Sequence, residues 1–269
     1  MFISMFTFAA RRLSWFVLFA SILGIHMPAN GSVEAAINHS ERPNVDRERD
    51  DARQPLKTLT FADVQEGDTV LDLYAGGGWY TELLSRIVGN SGKVFAHNDQ
   101  VIWSFVKDEM QQRTQGNRLS NVVRIDDAEI AHISLPENSV DVVFSSLNYH
   151  DMYFVSYQRN GVTTQVREHP VDPVKAMKHI STLLKDDGHV VIIDHQAAEG
   201  ATPDSGNTVH RIHADIVISQ MQQAGFERID EANHLRNPND NYAMSVFDKA
   251  VRGNTDRFVL KFKKRATTE

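Results

Sequence analysis

The sequence contains no cysteine. Disulfides, thiolate metal sites, a cysteine nucleophile and a lipoprotein-type anchor are therefore excluded. The absence leaves the compartment open, because a cysteine-free chain tolerates oxidising and reducing surroundings alike. Cations are scarce too: 28 Lys and Arg stand against 35 Asp and Glu, a net charge of −7. Non-specific nucleic-acid binding runs on clustered cations, so no nucleic-acid partner is expected. No internal repeat and no low-complexity tract is present. A dinucleotide fingerprint starting at Gly76 would need glycine at Thr81, and the only Gly-Lys pair, Gly92-Lys93, is followed by Val94 rather than Ser or Thr. No compact metal motif such as H-E-x-x-H occurs, so no metal is expected. What remains is a chain of 269 residues, 41% hydrophobic and 23% charged, enough for one large domain or two small ones with a proper core.

The charge is unevenly spread. Residues 1–33 carry only Arg11 and Arg12, and the apolar run Leu13 to Ile25 follows them. That run has signal-peptide length and falls short of the roughly 20 residues of a membrane span. Residues 1–31 are read as an export signal with cleavage near 29–36, which implies a periplasmic or secreted protein. The alternative is an uncleaved anchor over 13–33, so any membrane contact runs through this leader. Ser14 weakens a twin-arginine reading of Arg11-Arg12. Without residues 1–31 the chain keeps 26 basic and 35 acidic side chains. Residues 32–54 are polar, with opposite charges three and four apart between Asp46 and Arg53, and read as a solvated helix or a tether.

From residue 55 to 269 strands and helices alternate, and this stretch is read as the catalytic domain. Short apolar runs bounded by turn residues predict strands at 69–74, 93–97, 122–125, 140–146 and 189–194. Helical spacing predicts helices at 55–61, 79–88, 102–112, 171–184 and 208–224. Segments 226–231 and 257–262 alternate like half-exposed strands. A β-α repeat with short apolar strands implies a parallel sheet covered on both faces, here with an antiparallel edge.

Gly76, Gly77 and Gly78 sit where the first strand meets the first helix. In an open α/β sheet ligands bind at the carboxyl ends of strands, and glycines let a ligand approach the main chain. Asp72-Leu73-Tyr74-Ala75-Gly76-Gly77-Gly78 resembles motif I of class I S-adenosylmethionine-dependent methyltransferases, usually D-x-G-x-G-x-G. KVFAHND resembles their second-strand motif, Asp127-Ala128 before LPENSVDVVFSS their adenine-side motif and fourth strand, LLKDDGHVVIID their fifth, and QQAGFERID their last helix-to-strand corner. The resemblance spans roughly 55–265. More narrowly, AGGGWYTELL, LNYHDMY, DHQAA, VHRIH and LRNP resemble exported bacterial "predicted methyltransferases" of undefined substrate. The resemblance implies a Rossmann-like, doubly wound, mostly parallel seven-stranded sheet with an antiparallel edge strand. It also implies S-adenosyl-L-methionine as cofactor, held by Asp72, Tyr74, Gly76, Gly77, Gly78, Asn98, Asp127 and Ala128. Tyr74 replaces the usual first glycine, and Asn98 replaces the acid that usually meets the ribose hydroxyls. An amide is a weaker acceptor than a carboxylate.

Methyl transfer is an in-line displacement that needs proximity, orientation and a dry site, with a base only if the nucleophile must lose a proton. The loop after the fourth strand, Asn148-Tyr149-His150-Asp151, faces the methyl group in this fold. His150 is the candidate base and Asp151 its orienting partner. Tyr149 is a further catalytic candidate, Asn148 a polar contact for the acceptor, and His195 opens onto the same cleft. His210 and Arg211, with His213 on the same helical face, are expected to bind substrate at the start of the 208–224 helix. Aromatics Trp79, Tyr80, Trp103 and Phe105 read as core more readily than as a pocket. The leading reading is an exported methyltransferase acting on a small-molecule or envelope acceptor. The alternatives are a non-catalytic S-adenosylmethionine or nucleoside binder and a metal-dependent hydrolase built from the His segments.

Overall fold

The computed structural model describes residues 32–266. The expected leader, residues 1–31, lies outside them. No helix among the described residues is long and apolar enough to cross a membrane. The order is α1 (Val33–Ile37), α2 (Asn44–Arg47), α3 (Asp50–Arg53), α4 (Pro55–Ala62), β1 (Thr69–Leu73), α5 (Trp79–Val88), β2 (Lys93–Asn98), α6 (Gln100–Thr114), β3 (Val122–Asp126), β4 (Val140–Ser146), β5 (Ser156–Arg159), β6 (Val162–Gln165), α7 (Pro173–Leu183), β7 (Leu184–His195), α8 (Ser205–Thr208), α9 (Ala214–Gln223), β8 (Phe226–Ala232) and β9 (Arg257–Lys264). Seven strands form one sheet in the order β3-β2-β1-β4-β7-β9-β8. The pairings from β3 to β7 are parallel, and β9 runs antiparallel to both β7 and β8. This is the α/β fold of class I methyltransferases.

The strands are apolar because both faces are covered. Val70, Val142, Phe144, Val191 and Ile193 pack on one side with Leu59 of α4 and Leu83, Leu84 and Ile87 of α5. Their neighbours Leu71, Val143, Val190 and Ile192 pack on the other with Ile180 of α7 and Met221 of α9. The two-residue period of a strand thus feeds two cores. Helix starts carry their own signals. Asp99 caps α6 by accepting from Ile102 N at 2.9 Å, and Asp172 caps α7, where Pro173 opens the first turn.

Three segments differ from the sequence expectation. Residues 33–53 form three short helices that pack on the domain: Ala36 joins the core, while Arg42 and Asp46 are buried. The tether alternative therefore does not describe them. Helix is absent over 209–213. There His210 adopts a left-handed φ of 56°, Ile212 bridges Gln196, and His213 caps α9 instead of sharing a helical face with His210. The fully buried Arg211, tied to Asp240, holds this stretch extended. Finally, β5 and β6 form a separate hairpin between β4 and α7.

Candidate active site

β1, β4 and β7 are neighbours in the sheet, so the segments after their carboxyl ends meet on one edge. They bring together the glycine turn, the Asn148–Asp151 loop and the Asp194-His195 pair. Two connected cavities open there. One, of about 410 Å³, is lined by Asp72, Gly76, Tyr80, His150, His195 and several arginines. The other, of about 860 Å³, is lined by Ile102, Phe105, Phe154, Tyr157, His210 and Phe247. Gly76, Asn148, Asp151 and Phe247 border both.

The glycine turn is built for close approach on one side and clamped on the other. At Gly76, with φ 58°, an added Cβ would meet nothing within 4 Å, so the space in front is open to a ligand. At Gly77 an added Cβ would lie 2.1 Å from Cδ of Glu109. Behind the turn, Arg113 Nε donates to the Gly77 carbonyl at 2.6 Å, and its Nη1 donates to Asp46 at 2.6 Å. Asp72 sits beneath, accepting from Thr81 Oγ1 at 2.6 Å. Burial lifts its pKa to about 7 against that hydrogen bond.

Several residues expected at the cofactor do other work. Asn98 is fully buried and spends its amide on the turn: Gly76 N donates to Oδ1 at 2.9 Å, and Nδ2 donates to Gly76 O at 3.1 Å. It offers nothing to a ribose. Its neighbour Asp99, also fully buried, accepts from Ile102 N, from the Tyr74 hydroxyl at 2.9 Å and from Arg167. Tyr74 has the positive φ, 54°, of the glycine it replaces, but its ring turns into the core against His97. Its carbonyl accepts from Asn148 Nδ2, so the turn and the β4 loop are tied together. Asp127 is exposed, and neither Asp127 nor Ala128 lines the two cavities; Ala128 instead accepts from His97 Nε2 at 2.7 Å.

The reaction-side candidates also divide. Tyr149 is 1% exposed and its hydroxyl donates to Gln220 at 2.9 Å, which makes it a core residue. Arg211 makes a buried pair with Asp240 at 2.6 Å and lines neither cavity. His150 does line the cleft. Asp194 holds it twice, Oδ2 accepting from the backbone N at 2.8 Å and Oδ1 from Nδ1 at 2.7 Å. Asp151 Oδ1 stands 3.4 Å from His150 Nε2 and 3.4 Å from His210 Nδ1. Burial alone would lower the His150 pKa, but the Asp194 and Asp151 carboxylates outweigh it and lift it to about 9. Burial alone would raise the Asp151 pKa, but the His150 charge, the His210 hydrogen bond and Arg167 together outweigh it and hold it below its ordinary value. His195 lies 5.9 Å from His150 between ring centres, with Nδ1 2.6 Å from Thr255 Oγ1. Burial first, and then the neighbouring positive charge of His150 and Arg257, push its pKa well below 6.5. His150 is thus cationic at neutral pH and His195 neutral.

His150, Asp151 and His210 could hold a metal, since their ligand atoms all lie within 4.8 Å of one another. A protonated His150 between two carboxylates accounts for the same spacing without an ion.

Arg53 and Arg257 were missed as site residues, and Asp194 was placed at the cleft with His195 but given no role. Asp194 is visible only as the polar end of HVVIID. Arg53 lies in a charge run that reads as a solvated face.

Residues 71–192 match the family model described as "Methyltransferase domain". No curated protein matches the chain. Among solved structures, a SAM-dependent methyltransferase from Aquifex aeolicus is 20% identical, over 82% of this chain and 93% of that one, with a TM-score of 0.54. An arsenic(III) S-adenosylmethionine methyltransferase from Chlamydomonas reinhardtii is 15% identical over 87% and 73%, with a TM-score of 0.52. At these identities the likeness is one of fold.

Proposed function

We propose that this chain, whose residues 71–192 match a methyltransferase domain set in the class I fold, is an S-adenosylmethionine-dependent methyltransferase. The observation that carries the reading is the glycine turn after β1, open in front of Gly76 with Asp72 beneath it. The residues fit the cofactor at its amino-acid end, where Asp72, Gly76 and Gly77 border the cavity. They fit a nucleoside on the apolar side, where Ile102 and Phe105 form a wall. They depart from the usual set at the ribose, because Asn98 and Asp99 are both committed. When bound, the cofactor would supply a sulfonium methyl carbon open to in-line attack by the acceptor, with S-adenosylhomocysteine as the leaving group. The chain's own part is to orient the acceptor and exclude water. His150 is a fixed cation rather than a base at neutral pH, and its Nε2 side faces Asp151 at the cleft. Neutral His195 and the Asn148 side of the loop complete the polar wall.

The finer reading is an exported enzyme with a small-molecule or envelope acceptor. Its support is the two-arginine apolar leader in residues 1–31. The committed state of Asn98 and Asp99 favours one alternative, a protein that binds the nucleoside and transfers nothing. Calorimetry with S-adenosylmethionine and S-adenosylhomocysteine separates the readings. Binding of both is expected. Binding of neither sinks both readings, and binding without methyl transfer across a broad acceptor panel favours the second.

A further inference from the structure

Four arginines line the smaller cavity: Arg49, Arg53, Arg252 and Arg257. Among the described residues none of them makes an ion pair. Arg49 and Arg252 are exposed, Arg53 is half-buried and Arg257 is buried. The other buried arginines are paired, Arg42 with Asp50, Arg113 with Asp46 and Arg211 with Asp240, as are half-buried Arg118 with Glu82 and Arg167 with Asp99. Arg257 is 6% exposed, and its guanidinium donates only to the Thr255 and Gly253 carbonyls, at 3.3 and 3.4 Å. The two nearest acids are already spent, Asp240 on Arg211 and Asp256 on Arg236 and Tyr242. Arg53 lies 4.6 Å over the Trp79 ring and 5.5 Å over Tyr80, with no carboxylate on it. Burial pulls both guanidinium pKa values below their ordinary level, and neighbouring cations add to it, Arg49 acting on Arg53 and Arg53 on Arg257. Desolvated cations without counter-charges are costly, and among the described residues Arg257 is the one buried arginine without a carboxylate partner.

The cations sit at two places. Arg53 stands beside Trp79 at the start of α5, next to the glycine turn. Arg257 starts β9, opposite His195, and its guanidinium, like that of Arg53, acts on Tyr80 between them. A single cofactor carboxylate beside the glycine turn would neutralise Arg53 and leave Arg257 without a counter-charge.

We propose that Arg257 and Arg252, with Thr255 and His195 beside them, form a binding site for an oxyanion of the carboxylate or phosphate class. On the methyltransferase reading, on which this last step rests, that oxyanion belongs to the methyl acceptor. A guanidinium presents paired donors that match either oxyanion.

The test is calorimetric titration of the full chain with succinate and with inorganic phosphate, each with and without saturating S-adenosylhomocysteine. At least one anion should bind in both conditions. Arg257→Gln should weaken it by about tenfold or more, the loss expected for a charged hydrogen-bonding partner, while S-adenosylhomocysteine affinity stays within about twofold. Arg252→Gln, at an exposed position, should weaken it less. Thermal melting adds a readout that does not depend on binding. Removing an unpaired buried charge should leave Arg257→Gln at least as stable as the parent, whereas a merely structural arginine would lower the midpoint. Failure of both anions to bind overturns the site. So does displacement of the anion by S-adenosylhomocysteine, which would give the arginines to the cofactor's own carboxylate. Anion binding that persists when neither cofactor form binds leaves the site standing and removes the methyltransferase reading.

Discussion

Asn98 stands where the resemblance expects an acid, and its amide is used in both directions on Gly76. A carboxylate there could still accept from Gly76 N, but it would face the Gly76 carbonyl with no donor. Asn98→Asp should therefore loosen the turn rather than restore a ribose contact. We expect a loss of about 1–3 kcal/mol in thermal or urea unfolding and weaker S-adenosylhomocysteine binding. Tighter binding would refute the assignment. His150 gives a second residue-scale expectation. Its folded pKa of about 9 lies above the ordinary 6.5, so its stabilising charge is complete below pH 6.5 and lost as pH rises through 9. Asp72, raised to about 7, also loses stabilisation with rising pH, but that loss is complete near 7. Between pH 7 and 9 unfolding free energy should fall by on the order of 1–3 kcal/mol, and His150→Gln should flatten that window. At this scale the sequence was only partly legible. Residue types at strand ends pointed to the right edge of the sheet. Nothing in a linear string distinguishes Tyr149, turned into the core, from His150, turned into the cleft. Nor could it reveal that Arg211 meets Asp240.

Helix α2 illustrates the element scale. It is a single turn, too short to be stable alone, yet its Asp46 meets Arg113 of α6, which in turn holds Gly77. Asp46→Ala should cost about 3 kcal/mol, because it leaves Arg113 buried with only part of its countercharge from Glu82. Equilibrium urea unfolding checks this, and a change below about 1 kcal/mol would show that Glu82 suffices. The central strands β1, β4 and β7 were legible because burial on both faces forces continuous apolar runs, and the outer pair β8 and β9 by its alternation. The β5–β6 hairpin was not, because SYQR and VTTQ have no buried face. Its signal was the turn: Asn160 and Gly161 both have positive φ, 53° and 77°, the two-residue Asn-Gly pattern of a hairpin. The 208–224 helix was overextended because apolar spacing continues through Val209 and Ile212, while buried Arg211 and the Gln196 bridge keep that stretch extended.

At the scale of the whole molecule, an acidic chain surrounds a cavity edged by unpaired cations, so net charge misleads about what the cleft attracts. Sheet order has a further consequence. β9 follows every other described strand in the chain, yet it lies between β7 and β8. During synthesis the outer strand β8 emerges with no partner and must wait for some 25 residues more. The register closes only when β9 threads between them, a long-range step of the kind that slows folding. Arg257 arrives with that step. A chain caught before it would carry the glycine turn already complete but an open sheet edge and no cationic wall, so the two halves of the cleft mature at different times.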